Sequence, residues 1–139
     1  MKNKKRNKII KHVFFGLVIG VVTLIGIWQL LAFQTRMQQQ QEREKVALWV
    51  VQHFSGKEPI KNIKVGKVYT HGILGSAGKS TSLIINDKNV NRLEGVGLDE
   101  NGNVRGGFFY NGDLEYTYHD KKDTSATLKG VKVEEWKNN

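Results

Sequence analysis

The longest apolar run in the chain covers residues 13–33, where only Thr23 and Gln29 carry polar side chains. A helix needs about 20 apolar residues to cross the ~30 Å hydrocarbon layer of a bilayer. In water such a helix would be apolar on every face, which suits only a helix buried in a large core. The rest of this 139-residue chain is too short to build such a core. The run therefore predicts a transmembrane helix in contact with membrane lipid.

The distribution of basic residues predicts the orientation of this helix. Six of the 22 basic residues lie within the first eleven positions: Lys2, Lys4, Lys5, Arg6, Lys8 and Lys11. Basic residues concentrate on the cytoplasmic side of a membrane helix. We therefore expect residues 1–12 to form a basic cytoplasmic tail and the C-terminal domain to be extracellular, on a single-pass protein of the cell membrane. Without these six residues the excess of basic over acidic residues falls from nine to three, so nucleic-acid binding is not indicated.

A cleaved signal peptide would share the basic start of this segment. The run of residues 13–33 is longer than the roughly 7–15 apolar residues usual in a signal peptide, and its exit lacks small residues at the cleavage positions. The chain has no Cys, which excludes a lipoprotein anchor, disulfides and thiolate metal sites. An uncleaved signal-anchor is therefore favoured. Gly16 and Gly20 form a Gly-x-x-x-Gly pair through which two such helices could associate into a homo-oligomer.

Beyond the apolar run, residues 34–45 are polar and rich in helix-forming side chains, which favours a helical stalk over a disordered spacer. A helix face then recurs at Val46, Trp49, Val50, His53 and Phe54. We expect this helix to end near residues 55–56, because Gly56 can cap it and a proline follows at position 59. A lone His on this face is typical of a packed core residue.

From residue 60 the hydrophobic period changes to two, which predicts a run of short strands. The predicted strands cover residues 63–70, 81–85, 90–98, 104–110 and 114–118, with a last short strand or packed tail at 131–136. Asn111-Gly112 between two apolar runs predicts a hairpin. One helix followed by about five strands indicates an α+β domain over residues 46–139, with the helix packed on a curved antiparallel sheet. The element order is similar to cystatin-like and nuclear-transport-factor-like folds.

Few residues of the outer domain suggest chemistry. Residues 72–81 invite a comparison with phosphate-binding loops, but the first Gly is one position too early and residues 80–86 indicate a strand rather than a helix. The histidines (His12, His53, His71 and His119) lack metal-site spacing, and Ser76, Ser80, Thr81 and Ser82 have no identifiable activating base. We therefore predict no catalytic, cofactor or metal residues and a chain that is not an enzyme.

Aromatic residues concentrate around the predicted hairpin. Alternation places Phe108 and Tyr110 on one face of a strand and Phe109 on the other. One set would fill the core, and the other would expose apolar surface of the kind that marks partner sites. Because Tyr is common at protein interfaces, Tyr110, Tyr116 and Tyr118 are the predicted partner contacts. Burial of both faces is an equally acceptable interpretation.

Short segments at residues 60–65, 84–88 and 99–102, separated by a glycine-containing loop, resemble small Gram-positive cell-envelope families described as domains of unknown function. These families have a basic start, one hydrophobic segment and a compact α+β outer domain. Many of them look like lipoproteins, and this chain departs from that pattern because it lacks Cys. The resemblance implies no particular activity.

These observations favour a non-enzymatic, membrane-anchored binding module whose partner is another envelope or secreted protein. The role would be of the immunity type, against a toxin, or that of an accessory subunit of an envelope complex. The first alternative is a module that senses a small ligand or metal through the concave face of the sheet. The second is a hydrolase that would need His71 or His119 close to a carboxylate.

Overall fold

The computed structural model describes residues 2–73 and 77–137 of the chain, with side chains from residue 10 onward. The chain divides into two compact units, Met1–Gln39 and Gln40–Asn139. One 52-residue helix, α1 (Lys2–His53), supplies the described part of the first unit and the beginning of the second. No break in α1 occurs at the predicted stalk, residues 34–45.

In the first unit, the apolar side chains of α1 from Ile10 onward are exposed. Among the described residues, α1 is the one helix long and apolar enough to cross a membrane. The hydroxyl of Thr23 donates a 2.8 Å hydrogen bond to the carbonyl of Ile19, so this polar side chain is satisfied within the helix. A Cβ atom added at Gly16 or Gly20 would meet no other atom within 4 Å. Association of two helices through these residues stays a prediction.

In the second unit, the end of α1 is followed by short strands, nine of them among the described residues. In chain order they are β1 (Phe54–Gly56), β2 (Asn62–Val65), β3 (Tyr69–Thr70), β4 (Lys79–Ile85), β5 (Arg92–Leu98), β6 (Val104–Gly106), β7 (Phe109–Tyr110), β8 (Tyr116–Tyr118) and β9 (Lys132–Glu135). A 3₁₀ turn at Asn89–Asn91 occupies the start of the predicted third strand. The helix ends at His53, slightly earlier than predicted, because Phe54 already belongs to β1.

The α+β class is confirmed, but the single antiparallel sheet of about five strands is wrong in two respects. The main sheet has the order β6-β5-β4-β2-β9, with β3 added to β4 and β7 added to β5. It is mixed, since β9 pairs parallel to β2, whereas its other pairs are antiparallel. A separate two-stranded sheet joins β1 to β8. Gly106, the last residue of β6, and Gly107, directly after it, both have positive φ, and the predicted fourth strand is divided there into β6 and β7.

The hairpin predicted at Asn111-Gly112 does not form. The strand before these residues, β7, pairs with β5, and the strand after them, β8, pairs with β1. The two strands thus belong to different sheets, and residues 111–115 connect one sheet to the other. Pairing with distant strands therefore overrides the local turn preference of Asn-Gly. β7 and β8 have only two and three residues, so few backbone hydrogen bonds would hold them together as a hairpin.

The core lies between α1 and the inner face of the main sheet. Val46 and Val50 of α1 are completely buried against the sheet. The strand residues in this core are Ile63, Val65, Leu83, Ile85, Leu93 and Val96. Burial alternates along β2, but in β4 Ile84 is buried as well as its two neighbours. In β5 both Leu93 and Val96 are buried, whereas strict alternation would place them on opposite faces, because the β4–β5 register shifts between them. Each fully buried side chain of this kind contributes ~1.5–3 kcal/mol to folding. This core fixes the position of the helix end relative to β1, β7 and β8.

Candidate functional site: an aromatic cluster

Six rings meet where α1 ends and the two sheets adjoin. We call this group the aromatic cluster; its members are Trp49, His53, Phe54, Phe108, Tyr110 and Tyr118. Neighbouring ring centroids lie between 5.1 Å, for Phe108 and Tyr118, and 6.1 Å, for Trp49 and Tyr118. These distances lie within the range of favourable aromatic pairs, which contribute about 0.5–1.5 kcal/mol each. The cluster therefore ties the helix end to both sheets.

Local rules place most of these rings. Trp49 and His53 are four residues apart on α1 and lie on the same face, with ring centroids 5.6 Å apart. Phe108 and Tyr110 share a face, as alternation predicted, with centroids 6.0 Å apart, whereas Phe109 is 77% exposed. Tyr118 stacks on His53 with ring centroids 5.7 Å apart, and it is brought there by the pairing of β8 with β1.

The three predicted contact tyrosines have different environments. Tyr110 is 54% exposed, and Tyr118 is half-buried; both belong to the aromatic cluster. Tyr116 lies outside the cluster and is a core residue, only 5% exposed. Its hydroxyl accepts a 2.8 Å hydrogen bond from the Asn86 side-chain amide, and burial raises its pKa. Two tyrosines are thus placed on one surface, and the third is withdrawn from it.

Trp49 and His53 were not among the predicted contact residues. Both lie on the apolar helix face that the sequence shows, so the signal that could have identified them was present. His53 is half-buried, and its Nδ1 lies 2.8 Å from the carbonyl oxygen of His119. Because a carbonyl oxygen only accepts, Nδ1–H of His53 is the donor in this hydrogen bond, and Nε2 is the ring nitrogen that the bond does not use.

Among the described residues of the second unit, two Ser–His pairs lie within hydrogen-bond distance, one beside each sheet. His119 Nε2 lies 2.7 Å from Ser55 Oγ, and His71 Nε2 lies 2.6 Å from Ser80 Oγ. The second pair corrects the expectation that Ser80 has no neighbouring base. A serine nucleophile also needs a group that orients the base, and no carboxylate in the described part of the chain is hydrogen-bonded to His71. This geometry is that of a polar link between neighbouring strands.

The segment compared with a phosphate-binding loop has a different structure. Leu74, Gly75 and Ser76, in the middle of the glycine-rich part, lie outside the described residues. Lys79–Ile85 form strand β4, and Lys79 Nζ lies 3.0 Å from Glu42 Oε1. The Thr81 hydroxyl is buried and donates to the carbonyl of Gly66 at 3.0 Å. The Lys and Ser positions of a phosphate-binding loop correspond to Lys79 and Ser80, and both side chains have other partners here, Glu42 and His71 respectively.

An open groove of about 360 Å³ runs beside β1. It is lined by α1, by β1 and the segment after it, and by residues of the C-terminal segment, including Phe54, Ser55, Pro59, Tyr116, Lys129 and Val131.

The inner face of the main sheet, where a small-ligand site was considered, is filled by Val46 and Val50. Within residues 2–73 and 77–137, no three His, Asp or Glu side chains are grouped closely enough to hold a metal ion.

Comparisons with protein-family models, with curated protein sequences and with solved structures gave no match. The two features of the chain that bear on its function are the long apolar helix and the mixed α+β unit.

Proposed function

We propose that this chain is a single-pass membrane protein whose Gln40–Asn139 unit binds another protein through the exposed side of the aromatic cluster. The observation that carries the proposal is the cluster itself, in which Tyr110 and half-buried Trp49, His53 and Tyr118 present ring surface beside one another. Aromatic rings with a polar atom are enriched at protein interfaces, and they lose little conformational entropy on binding. The role is binding and not catalysis.

The anchor in this proposal is the apolar part of α1. Its side chains between Ile10 and Phe33 are all exposed in the structure, which suits contact with lipid. The basic residues before it orient the N-terminus toward the cytoplasm and the Gln40–Asn139 unit outward, so the partner is an envelope or secreted protein. Binding between two membrane-confined or surface proteins tolerates a small interface, because confinement raises the effective concentration.

The polar groups around the cluster support specificity. Nε2 of His53 and the hydroxyls of Tyr110 and Tyr118 bring hydrogen-bonding atoms to the margin of an otherwise apolar surface. An interface of this kind combines an apolar centre with polar groups at its edge. Truncation of a central aromatic residue in such an interface typically costs ~2 kcal/mol or more in binding free energy.

Site-specific photocross-linking in cells tests the proposal. A photoreactive phenylalanine analogue is placed at Tyr110 of the full chain and, as a matched control, at Lys132 on the exposed surface of β9. Tyr110 lies in β7, which pairs with β5 at one end of the main sheet, and β9 is the edge strand at the other end, so the two probes sample different surfaces. We expect a discrete protein adduct at position 110 that is absent at position 132.

The yield of the adduct at position 110 must also depend on the other rings of the aromatic cluster. In the Tyr118→Ala background, the yield at position 110, divided by the amount of folded chain present, should fall at least several-fold. Equal adducts at positions 110 and 132, or an adduct at 110 that is indifferent to Tyr118→Ala, would contradict the proposal.

A further inference from the structure

The chain contains two Asn-Gly pairs, and the structure holds them very differently. Asn101-Gly102 lies in the turn between β5 and β6, and Asn111-Gly112 lies in the connection between β7 and β8. In an Asn-Gly pair the backbone nitrogen of Gly can reach the side-chain carbon of Asn, because Gly has no Cβ to obstruct the approach. The two pairs therefore form an internal comparison with the same local chemistry.

The first pair is held in place. Gly102 is buried, and its N–H donates to the carbonyl of Asp99 at 3.0 Å. The Asn101 N–H donates to the Asp99 carboxylate at 2.9 Å, and the Asn101 carbonyl accepts from Lys45 Nζ at 2.6 Å. Gly102 also has a φ of +78° beside the Glu42 side chain. Attack by the Gly102 nitrogen would require several of these contacts to break.

The second pair is open. Asn111, Gly112 and the following Asp113 are all exposed. None of the hydrogen bonds found among the described residues involves the Asn111 side chain or the Gly112 N–H. A Cβ built at Gly112 meets nothing within 4 Å. The hairpin that this sequence would normally form is absent, because β7 and β8 pair with strands of different sheets.

We propose that Asn111 is a site of spontaneous covalent modification, deamidation through a succinimide, and that Asn101 is protected by the fold. The Gly112 nitrogen loses its proton to solvent base and attacks Asn111 Cγ, so that a new C–N bond forms and the side-chain amide leaves as ammonia. Water then adds to one carbonyl of the ring and breaks one of its two C–N bonds. The products are Asp or isoaspartate, with one new carboxylate and no change in oxidation state.

The product changes the surface next to Tyr110. One negative charge appears at the residue adjacent to this partly exposed ring, and the isoaspartate product adds a carbon to the backbone of the connection. The inference depends only on the two Asn-Gly environments and stands independently of the proposed binding role.

Ageing of the full chain in detergent micelles tests it. After incubation in mildly alkaline buffer, trypsin separates the two sites, since residues 93–105 carry Asn101 and residues 106–121 carry Asn111. Mass spectrometry follows the exchange of amide for acid in each peptide. We expect conversion at Asn111 to be at least about fivefold faster, the factor that corresponds to one hydrogen bond of ~1 kcal/mol at Gly102.

Two controls separate the fold from the local sequence. In denaturant the two rates should converge, because both pairs are then equally free. Gly112→Ala should suppress conversion at Asn111 without changing the unfolding transition, since a Cβ fits there. Equal rates in the folded chain, a faster rate at Asn101, or a rate difference that persists in denaturant would overturn the inference.

Discussion

The ion pair between Glu42 and Lys79 should contribute more to stability than any surface pair of this unit. Lys79 Nζ lies 3.0 Å from Glu42 Oε1, and the two side chains are 22% and 11% exposed. At this distance the Coulomb attraction is roughly 5 kcal/mol for an effective dielectric constant of 20. Desolvation of both groups cancels much of this gain. Because the site is nearly but not fully buried, we expect a net coupling energy of about 1–2 kcal/mol, above the usual 0.2–1 of exposed pairs.

A double-mutant cycle measures this coupling. Glu42→Gln, Lys79→Met and the double variant are unfolded by denaturant as full chains in detergent micelles, with near-ultraviolet circular dichroism of the aromatic cluster as the signal. The cycle isolates the pairwise free energy from the other effects of each change. Glu42 belongs to α1 and Lys79 to β4, so the coupling reports the attachment of the helix to the sheet.

The exposed pair Lys132–Glu134 is the matched control, with side chains 69% and 32% exposed. The same cycle at this pair should give a smaller coupling energy that vanishes in ~1 M salt, where the screening length is about 3 Å. The Glu42–Lys79 coupling should largely survive that salt. A coupling no greater than that of Lys132–Glu134, or one lost in salt, would show that burial does not strengthen the interaction.

Three further outcomes are expected. Gly102→Ala should lower the free energy of unfolding by at least about 1–2 kcal/mol, the cost of a side chain in the left-handed region, and Gly112→Ala should leave it unchanged in the same denaturation assay. Hydrogen bonds from the side chain and backbone of Asn103 lower the pKa of Asp99 from its usual 3.8. Ionised Asp99 therefore stabilises the fold above pH ~4 and loses this contribution as pH falls through and below that value, and Asp99→Asn should flatten this part of the stability–pH curve. Tyr110→Ala should lower the free energy of unfolding by no more than about 0.5–1.5 kcal/mol, the value of its one ring pair with Phe108, and abolish the adduct formed by a photoreactive probe placed at Tyr118.

Much of the architecture could be predicted from the sequence because it depends on local periodicity. The apolar run gives α1 its exposed N-terminal part, and the positions Val46 and Val50 on one helix face are indeed core residues. Alternation also assigned Leu83 and Ile85 to the buried face of β4. These features follow from the 3.6 and 2.0 residue periods and need no knowledge of strand order.

Strand order could not be predicted in the same way. β9 pairs parallel to β2 across more than sixty intervening residues, and β8 leaves the main sheet to pair with β1. Strands of two or three residues carry too few side chains for periodicity to specify a partner. The same limit applies to the candidate site, since Tyr118 reaches His53 only through the pairing of β8 with β1, and Tyr116 on the same strand is buried for the same reason.

The lysine of the glycine-rich segment shows how tertiary contacts change the meaning of a motif. Lys79 and Ser80 occupy the positions that a phosphate-binding loop would use, yet Lys79 forms an ion pair with Glu42 of α1 and the Ser80 hydroxyl lies 2.6 Å from His71 Nε2. Lys79 Nζ also donates to the carbonyl of Glu100 at 3.3 Å, in the turn that holds Gly102 against Glu42. Helix, strand and turn thus meet at one partly buried charge pair. A change at Gly102 and a change at Lys79 should therefore be non-additive, since both act on the position of the Glu42 side chain.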